Sequence, residues 1–496
     1  MSRPVLLINP RITSKPRFPL AVMQLATALQ PRHEVQILDG NVHADLAERA
    51  AALVASQDFA AVGLSVMGGP QLVSALAVSQ AIRKAAPQLP IVWGGYFPSI
   101  CPEAALNGSP VDCVIRGPGE ATLPALLQAL EDGTSLEGID GLSWRRDGRV
   151  VHNPDRAFSA EALQQPLDYH AVDQPQQYLS PTYLGRRTTG YQAALGCRYR
   201  CSFCGVAAMF KGKTALPAAE RLDRDLHYLR SEFGADSVQF YDHNFFDREA
   251  AMLPLLEVLA HHGLPWWCYA RADALAQLSD SGWSLVKRSR LRMAYIGVET
   301  PNEQLLREMR KGTHADQTLA AVEQCRRHGV TPELSFMLAP PQDPEGETER
   351  CFDFIRRIKR LHPAAEIMLH INTPLPPSML GGRKPVSPLQ LRDTQGRAVR
   401  FPDSAAGWAE PAWVAYWCHR NAPWVSERLL ERIRGFTTVL GCRFPTITDI
   451  RAPRWQRQAL SAGAAWRYRF QHYERPWELQ MMQRLVRLWD PQLAGL

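Results

Sequence analysis

Three of the chain's ten cysteines, Cys197, Cys201 and Cys204, lie within eight residues of one another. The spacing C-x3-C-x2-C allows a tight loop to direct three thiolates at one centre, and three thiolates leave one iron of a four-iron cluster without a protein ligand. An open iron can bind and reduce a second molecule, whereas a structural zinc site is closed by four ligands. The alternatives are a zinc site completed by Cys268 or a distant histidine, and three cysteines that only pack.

Further polar side chains follow short apolar segments in the middle of the chain. Asp242 lies in Tyr-Asp-His-Asn-Phe, Arg271 in Tyr-Ala-Arg-Ala-Asp, and Glu299 in Gly-Val-Glu-Thr. A carboxylate directly after a strand is also typical of a helix N-cap, which is the alternative interpretation of Asp242. For Arg271 and Glu299 the alternative is a structural salt bridge.

Residues 186–375 must position these groups, and they alternate strand and helix patterns six times. Six such units predict a partial (β/α)6 barrel of the TIM type, in which chemistry lies at the C-terminal ends of the strands. The predicted strands are Tyr191–Leu195, Ser237–Tyr241, Trp266–Ala270, Met293–Val298, Pro332–Met337 and Glu366–Ile371, and the predicted helices include Ala218–Phe233, Arg248–His261, Ala274–Arg288 and Asp316–His328.

Residues 1–150 alternate in the same way and predict a doubly wound, Rossmann-like α/β domain that binds its ligand beyond the carboxyl ends of the strands. Residues 151–185 are typical of a linker, and residues 376–496 predict a mainly helical and irregular segment. The predicted strands are Val5–Ile8, Val35–Leu38, Ala61–Val66, Pro90–Trp93 and Asp112–Ile115, and the predicted helices are Leu20–Leu29, Ala44–Ala55, Leu72–Ala85 and Pro102–Leu106.

Glycine pairs at 68–69 and 94–95 mark two strand ends of this first domain. The absence of side chains there would let a bulky flat ligand approach the backbone, although the same glycines could simply form tight turns. A dinucleotide site is excluded, because the glycines at 117 and 119 follow the fifth strand and lack the last glycine of that motif.

The cysteine motif, with Phe203 immediately before its third cysteine and its place after the first barrel strand, resembles the radical S-adenosylmethionine (radical SAM) superfamily. The resemblance implies that the cysteines hold a 4Fe–4S cluster whose fourth iron binds the amino and carboxylate groups of S-adenosylmethionine (SAM). Reduction then releases a 5′-deoxyadenosyl radical, so the cofactors supply the difficult chemistry. It also implies that Asp242 and Arg271 belong to the cofactor site and that Glu299 hydrogen-bonds the SAM ribose. One departure is the end of the fifth strand, Leu338-Ala-Pro-Pro, where relatives often carry glycine.

Residues 1–375 together resemble the cobalamin-dependent radical SAM enzymes, including relatives of the anaerobic magnesium-protoporphyrin monomethyl ester cyclase. By this resemblance, Ser65 lies near the nucleotide tail of cobalamin, and Gly94 and Gly95 make room for it. The loop after the first strand lacks the Asp-x-His-x-x-Gly sequence, so no histidine ligand to cobalt is expected from it. His43 is expected to be a surface residue.

The last quarter of the chain carries the whole excess of positive charge. The net charge is +7, and residues 376–496 hold 18 Lys and Arg against 9 Asp and Glu, together with 8 of the 13 tryptophans. Arginine matches carboxylates and stacks on aromatic rings. We therefore expect the clusters at 455–457 and 466–477 to cover the barrel mouth around a flat or apolar substrate with acidic groups. The alternatives are an arginine-preferring genome with helix-packing tryptophans, a membrane surface that brings a lipid-like substrate, and nucleic-acid stacking, which we do not favour because no RNA-binding module is recognised.

The resemblance implies an enzyme that uses SAM, a 4Fe–4S cluster and cobalamin, and we expect it to methylate an unactivated carbon of a small molecule. We expect a reducing protein such as a flavodoxin or ferredoxin as electron donor. No apolar run reaches the ~20 residues of a membrane span and no signal peptide is present, so a cytoplasmic location is expected. One alternative is an oxidoreductase or cyclase acting on a tetrapyrrole-like or lipid-like substrate, and another is a non-catalytic corrinoid- or zinc-binding protein. The sequence identifies no catalytic residue for the substrate.

Overall fold

The computed structural model describes residues 3–13, 16–30, 32–159, 165–216, 218–376, 391–446 and 453–485. The first domain contains strands β1 Val5–Asn9, β2 Val35–Asp39, β3 Ala61–Ser65, β4 Ile91–Gly94, β5 Cys113–Ile115, β6 Leu142–Arg146 and β7 Arg149–His152. Its helices are α1 Leu20–Leu29, α2 Leu46–Ser56, α3 Pro70–Ala85, α4 Tyr96–Ile100, α5 Pro102–Leu106 and α6 Thr122–Asp132.

The first sheet has the order β2-β1-β3-β4-β5-β6-β7, and its first five strands are parallel. Successive strand residues face opposite sides of a sheet, so Leu6 and Ile8 enter one hydrophobic core while Val5 and Leu7 enter another. This arrangement confirms the predicted doubly wound α/β domain. The antiparallel β6–β7 hairpin was not predicted.

The second domain contains β8 Thr188–Tyr191, β9 Leu195–Gly196, β10 Thr214–Ala215, β11 Ser237–Phe240, β12 Trp266–Arg271, β13 Leu291–Glu299, β14 Thr331–Leu338 and β15 Glu366–Ile371. Its helices are α7 Gly205–Phe210, α8 Ala219–Phe233, α9 Glu249–His262, α10 Ala272–Gln277, α11 Asp280–Arg288, α12 Glu303–Glu308, α13 Ala315–His328 and α14 Pro344–Leu361. Six strands form one parallel sheet in the order β15-β14-β13-β12-β11-β8, which confirms the partial six-unit barrel.

Two predicted boundaries of the barrel are wrong. The first strand is Thr188–Tyr191 rather than the predicted run to Leu195, because the amides of Ala193 and Ala194 bind the carboxylate of Asp242 instead of a neighbouring strand. The single helix predicted over 274–288 is two helices, because the Ser279 hydroxyl accepts a hydrogen bond from the Gly282 amide (3.0 Å) and caps a new helix start.

The segment between the domains is packed in its described part. The rings of Tyr169 and Tyr178 lie 4.9 and 5.0 Å from the ring of Phe18, and Tyr169 also contacts Phe233 of α8. Phe18 precedes α1 in the first domain, so this segment joins both domains into a continuous core. The domain boundaries at 150, 185 and 375 stay predictions.

The C-terminal segment is mainly helical, as predicted, with α15 Ala405–Trp408, α16 Pro411–Trp417, α17 Glu427–Arg443, α18 Arg454–Arg469 and α19 Trp477–Leu485. Helix α17 is fixed to α14 of the barrel by Phe436, whose ring stacks on Phe352 at 3.7 Å, and by an ion pair between Arg432 and Glu349. Among the helices in the described ranges, none has the length and apolar character that a bilayer crossing requires.

Candidate functional site

The three cysteines lie in one loop, and hydrogen bonds attach this loop to the barrel. The loop begins at the end of β9, and the amide of Ser202 donates to the carbonyl of Met309 (2.8 Å), while the Ser202 hydroxyl donates to that of Glu308 (3.2 Å). The Cys204 amide closes the loop on the carbonyl of Cys201 (3.3 Å). These hydrogen bonds tie the loop to the segment that follows β13, the strand that ends at Glu299.

The thiols of this loop need a positively charged partner to become thiolate ligands. Burial raises the pKa of Cys197 and raises that of Cys204 to about 11, so an added positive charge is needed to make both thiolates. Among the described residues, no three His, Cys, Asp or Glu side chains are grouped to hold one metal ion. Cys268, the residue proposed to complete a zinc site, is fully buried in β12. A four-iron cluster takes each thiolate at a different iron, which suits thiols spread around a loop.

Arg271, at the end of β12, lies against the cysteine loop. Its Nη1 is 4.0 Å from the sulfur of Cys201, and its guanidinium stacks 3.5 Å from the ring centroid of Tyr199. It also donates to both carboxylate oxygens of Asp273 (3.0 and 3.1 Å) and to the carbonyl of Lys311 (2.7 Å). The salt bridge expected as an alternative is therefore present, and it aims the guanidinium at the sulfur.

Glu299 forms a second buried ion pair beside the loop. Its carboxylate accepts a hydrogen bond from Nζ of Lys311 (2.6 Å), and both side chains are more than nine-tenths buried. Glu299 has a φ of +66°, and the register of β13 shifts beside it. Burial lowers the pKa of Lys311, but Glu299 and Cys201 outweigh that effect and leave the pKa above its ordinary value. Lys311 was not predicted as a site residue, although its place in Met-Arg-Lys-Gly after this strand was the signal available.

Asp242 positions the backbone that enters the cysteine loop. It is fully buried and accepts hydrogen bonds from the amides of Ala193 (3.2 Å) and Ala194. Burial raises its pKa to about 7, against the lowering effect of these amides. This geometry differs from the N-cap that was the alternative, and a direct cofactor contact of Asp242 stays a prediction.

The two residues after Asp242 face the same strand end. His243 accepts a hydrogen bond from the amide of Gly196 (3.2 Å), and burial lowers its pKa to about 4, so its ring is neutral. Asn244 is buried, and neither its side-chain oxygen nor its nitrogen has a partner in the described part of the chain. An unsatisfied buried amide is costly, which makes Asn244 a candidate ligand-binding group that the sequence analysis missed.

At the edge of the first sheet, Gly94 ends β4 and Gly95 follows it, and the two glycines differ in the room they leave for a side chain. Gly95 has a φ of +93°, and a Cβ there would lie 2.9 Å from the amide nitrogen of Val66 and 3.1 Å from the hydroxyl of Ser65. A Cβ at Gly94 would have its nearest neighbour at 3.9 Å. Gly95 is therefore required by the turn itself, whereas Gly94 leaves space at the strand end. The cobalamin-binding role of Ser65, Gly94 and Gly95 stays a prediction.

The same edge has the features of a site for a large flat ligand. Ile12, after β1, and Met67, after β3, are large apolar side chains left exposed there. A cavity of about 630 Å³ opens beside the loop after β5 and is bounded on its far side by α7, the helix that follows Cys204. Exposed apolar groups at a strand edge are typical of a surface that takes a large apolar ligand, and the cavity, whose lining includes neither Ile12 nor Met67, is a separate feature. His43, expected at the surface, is only 19% exposed in its side chain and faces Asp173 at 3.8 Å.

The two domains touch where their strand ends meet. The hydroxyl of Tyr96, directly after Gly95, lies so close to Gly205 that a Cβ there would be 1.6 Å from it. Gly205 begins α7 immediately after Cys204. The edge of the first sheet is thus in contact with the cysteine loop.

The C-terminal segment caps both edges, but through different residues than predicted. Trp417 lies over Gly68, the carbonyl of His419 accepts the amide of Ile371 (2.8 Å), and Trp424 donates to the carbonyl of Ala339 (3.0 Å). The clusters at 455–457 and 466–477, expected over the barrel mouth, lie on α18 and the turn to α19, where their tryptophans are exposed. The glycine at 68 makes room for the protein's own indole.

A polar group of side chains lies near Glu299 inside the barrel. The hydroxyl of Tyr295 is 3.2 Å from Nε2 of His370, and the ring of His419 is 6.0 Å from that of His370. Burial lowers the pKa of His370, although Glu299 opposes the shift, whereas His419 is exposed and its Nδ1 is hydrogen-bonded to the hydroxyl of Thr373. The imidazole of His370 is therefore neutral near pH 7 and can accept a hydrogen bond.

Two family models match the chain. The B12 binding domain matches residues 16–127, and the radical SAM superfamily matches residues 191–355. The first match covers the strand ends with the glycine pairs, and the second begins just before the cysteine loop.

Curated relatives are about one-quarter identical to the chain. An uncharacterized methyltransferase of Pyrococcus horikoshii is 24% identical over 68% of this chain and 73% of its own length. The anaerobic magnesium-protoporphyrin IX monomethyl ester cyclase of Synechocystis is 24% identical over 56% of this chain and 54% of its own. The hopanoid C-3 methylase of Methylococcus capsulatus is 24% identical over 54% of this chain and 49% of its own. The chain thus spans about half the length of the last two relatives.

Solved structures share the fold at lower identity. The radical SAM methyltransferase TsrM of Kitasatospora setae, solved with cobalamin and a [4Fe–4S] cluster, has a TM-score of 0.63 at 21% identity and covers 77% of each chain. The cobalamin-dependent radical SAM enzyme OxsB, solved with aqua-cobalamin and SAM, has a TM-score of 0.66 at 16% identity, over 98% of this chain and 75% of its own. At these identities the likeness establishes the arrangement of domains.

Proposed function

Because the chain is a cobalamin-dependent radical SAM enzyme, with a B12-binding domain followed by a radical SAM domain, we propose that it methylates an unactivated carbon of a small molecule. The observation that carries this proposal is the contact between Tyr96 and Gly205, which brings the glycine-lined edge of the first sheet against the cysteine loop. Methyl transfer between two cofactors and one substrate needs all three to be held together, since orientation supplies much of the rate.

We assign the iron–sulfur cluster to Cys197, Cys201 and Cys204. When bound, the cluster and SAM supply a carbon-centred radical and cobalamin supplies the methyl group. Arg271 places a positive charge 4.0 Å from the sulfur of Cys201, which stabilises the thiolate that a cluster requires.

We assign the SAM side of the site to Glu299, Lys311 and Asn244. The ion pair of Glu299 and Lys311 is buried at the end of β13, so the carboxylate is held in a fixed orientation toward the cysteine loop. Asn244 offers a free carbonyl and a free amide for a polar ligand. Ser65 and Gly94 would take cobalamin at the opposing edge.

We place the polar end of the substrate at a group of side chains beside Glu299. Tyr295, His370 and His419 lie beside Glu299, and His419 is supplied by the C-terminal cap. Two imidazoles and a phenol can orient a polar end of an otherwise flat or apolar molecule by hydrogen bonding. We expect an electron-donor protein of the flavodoxin or ferredoxin type.

The experiment is anaerobic turnover of the reconstituted enzyme with SAM and reductant, followed by mass analysis of products. We expect 5′-deoxyadenosine and, with the correct substrate, a gain of one methylene per event. A loss of hydrogens or a gain of oxygen would instead support an oxidative cyclisation, the reaction class favoured by the name of the Synechocystis relative. Zinc in place of iron, with no cleavage of SAM, would refute both.

A variant separates the SAM site from general damage. Lys311→Met leaves Glu299 as an unpaired buried carboxylate, and we expect SAM binding to weaken by about tenfold or more, since breaking one side of a buried pair is strongly unfavourable. Iron content should be unchanged. The double variant Lys311→Met, Glu299→Gln removes the unpaired charge and should recover the stability lost by the single variant, while its SAM binding stays weak.

A further inference from the structure

The outer face of α18 and α19 is apolar and positively charged, and its large apolar side chains are exposed, although Trp466 also stacks on His472 of the same segment. Five of the ten large apolar side chains that the described residues leave exposed belong to this aromatic–arginine face. They are Trp455 (67% exposed), Trp466 (49%), Phe470 (72%), Trp477 (65%) and Met481 (56%). A concentration of this kind marks an interaction surface, whereas single exposed apolar residues do not.

The apolar residues of α18 are arranged as one stripe. Trp455, Ala459, Ala462 and Trp466 are spaced four, three and four residues apart, which places them on one side of a helix, and all four are exposed. The opposite side of the same helix faces the protein through buried Leu460, Ala464 and Arg467.

Helix α19 continues this surface. Gly463 of α18 has the thioether of Met482 so near that a Cβ there would lie 3.4 Å from its sulfur, so the two helices are in close contact. Trp477 and Met481 are four residues apart on α19, and both are exposed. The exposed apolar side chains of the two helices therefore belong to one patch.

The charges around the patch are positive and uncompensated. Arg454, Arg469, Arg475 and Arg484 are exposed, and within the described ranges none of them pairs with a carboxylate. The two glutamates in this part of the chain, at positions 474 and 478, are already bound, the first by Arg432 and the second by Arg467.

We propose that the aromatic–arginine face docks on the surface of an anionic lipid bilayer. Tryptophan and phenylalanine enter the interfacial layer readily, and arginines beside them attract anionic headgroups. The helices are too short and too polar to cross the bilayer, so the contact lies in the plane of the interface. A second copy of the chain is the less favourable occupant, because a two-fold contact would bring the same unpaired arginines together.

The test is co-sedimentation of the reconstituted full chain with vesicles of phosphatidylcholine alone or with added phosphatidylglycerol. We expect binding to the phosphatidylglycerol vesicles only, weakened by salt. Arg469→Gln with Arg475→Gln should reduce partitioning about 25-fold, since each basic residue contributes about fivefold near an anionic surface. Trp466→Ser with Phe470→Ser should reduce it about tenfold or more.

The matched control is Tyr228→Ser, which removes an exposed aromatic ring from α8 and should leave vesicle binding intact. Iron and cobalamin contents serve as the check on folding for every variant. The proposal is refuted if the wild-type chain ignores both kinds of vesicle, if it binds neutral vesicles equally, or if neither double variant changes binding. A concentration-dependent dimer that both double variants abolish would assign the face to self-association instead. None of these outcomes depends on which reaction the enzyme catalyses.

Discussion

The edges of the first sheet and of the barrel differ in which residues adopt left-handed backbone conformations. At the edge of the first sheet, positive φ angles fall on Gly69, Gly95 and Gly117, and no described residue before Asp147 other than glycine has one. At the barrel edge they also fall on side-chain-bearing residues, among them Glu299 (φ +66°). Such backbones cost about 1–3 kcal/mol each. The first edge uses glycines for its left-handed turns, while the barrel edge keeps its side chains and tolerates strain.

The two edges also differ in the charges that they carry. The barrel edge holds buried ion pairs, Lys311 with Glu299 and Arg271 with Asp273, packed around the cysteine loop. The first edge instead exposes apolar Ile12 and Met67. Fixed charges favour small charged ligands through electrostatics, whereas an open apolar edge favours a large flat one through contact area. Under the assignment that we propose, the first edge would take a corrin ring and the barrel edge would take SAM with its cluster.

Removing a cysteine of the loop should abolish cluster binding at the barrel edge and leave cobalamin binding at the first edge intact. We expect Cys201→Ala to abolish cluster assembly, reducing iron from roughly four per chain to near zero, while cobalamin binding stays within about twofold. Iron analysis and the visible spectrum measure both. Cys325→Ala, which changes a buried cysteine of α13, should keep its iron. Cleavage of SAM by the Cys201 variant would show that the cluster lies elsewhere.

Adding a methyl group at Gly95 should break the other edge. Gly95→Ala places a Cβ 2.9 Å from the backbone of Val66 at a φ of +93°, so we expect cobalamin affinity to fall about tenfold or more and stability by about 2 kcal/mol. Gly108→Ala is the matched control, because Gly108 also has positive φ (+58°) but nothing within 4 Å of an added Cβ. Equal effects of the two substitutions would mean that backbone strain alone, and not the close contact of Gly95 with Val66, decides cobalamin binding.

The sequence was sufficient where signals are local. The five parallel strands of the first domain lie within one or two residues of their predicted positions, because a strand buried on both faces is a short continuous apolar run. The cysteine loop was equally visible from spacing. The β6–β7 hairpin was missed because its exposed arginines, at 145, 146 and 149, do not alternate as a half-buried strand should.

Long-range contacts could not be read from the sequence. Nothing local distinguishes Trp417 and Trp424, which cap the strand ends, from Trp455 and Trp466, which face outward. The role of Asp242 in holding the amides of residues 193 and 194 likewise depends on a partner 48 residues away in the chain. Such choices are decided by tertiary packing rather than by propensity.

The opposite end of the barrel contains a buried acid, Glu333, that has no cationic partner among the described contacts. Burial raises the pKa of Glu333 to about 7, with Glu366 adding to the shift and the indole of Trp267 (2.9 Å) opposing it. The folded state therefore keeps the proton while the unfolded state loses it near pH 4.5, so stability falls as pH rises from about 4.5 to about 7.

We expect Glu333→Gln to remove this dependence and to raise stability at pH 8 by up to about 3 kcal/mol. Thermal midpoints across a pH series measure the effect. Glu323→Gln is the control of opposite sign, because Arg326 and Arg327 hold the pKa of the exposed Glu323 at about 2. The small stabilisation that ionised Glu323 gives the folded wild-type protein is present above about pH 4.5 and is lost only as the pH falls through about 2. A wild-type midpoint that stays flat between pH 5 and 7.5 would contradict the assignment of Glu333.

The smallest predicted effect concerns the strain at the end of β14. Ala339 has a φ of +54°, a conformation that favours glycine, and its carbonyl accepts the indole N–H of Trp424 in the cap. Relief of the left-handed strain exceeds the extra chain entropy that glycine gives to the unfolded state, so Ala339→Gly should stabilise the protein by about 0.5–1 kcal/mol. Ala52→Gly, at an exposed position of the regular helix α2, should destabilise it by a similar amount. Opposite signs for the two substitutions would establish that the barrel edge keeps a side chain against its backbone preference, and equal losses would show that Ala339 is not strained.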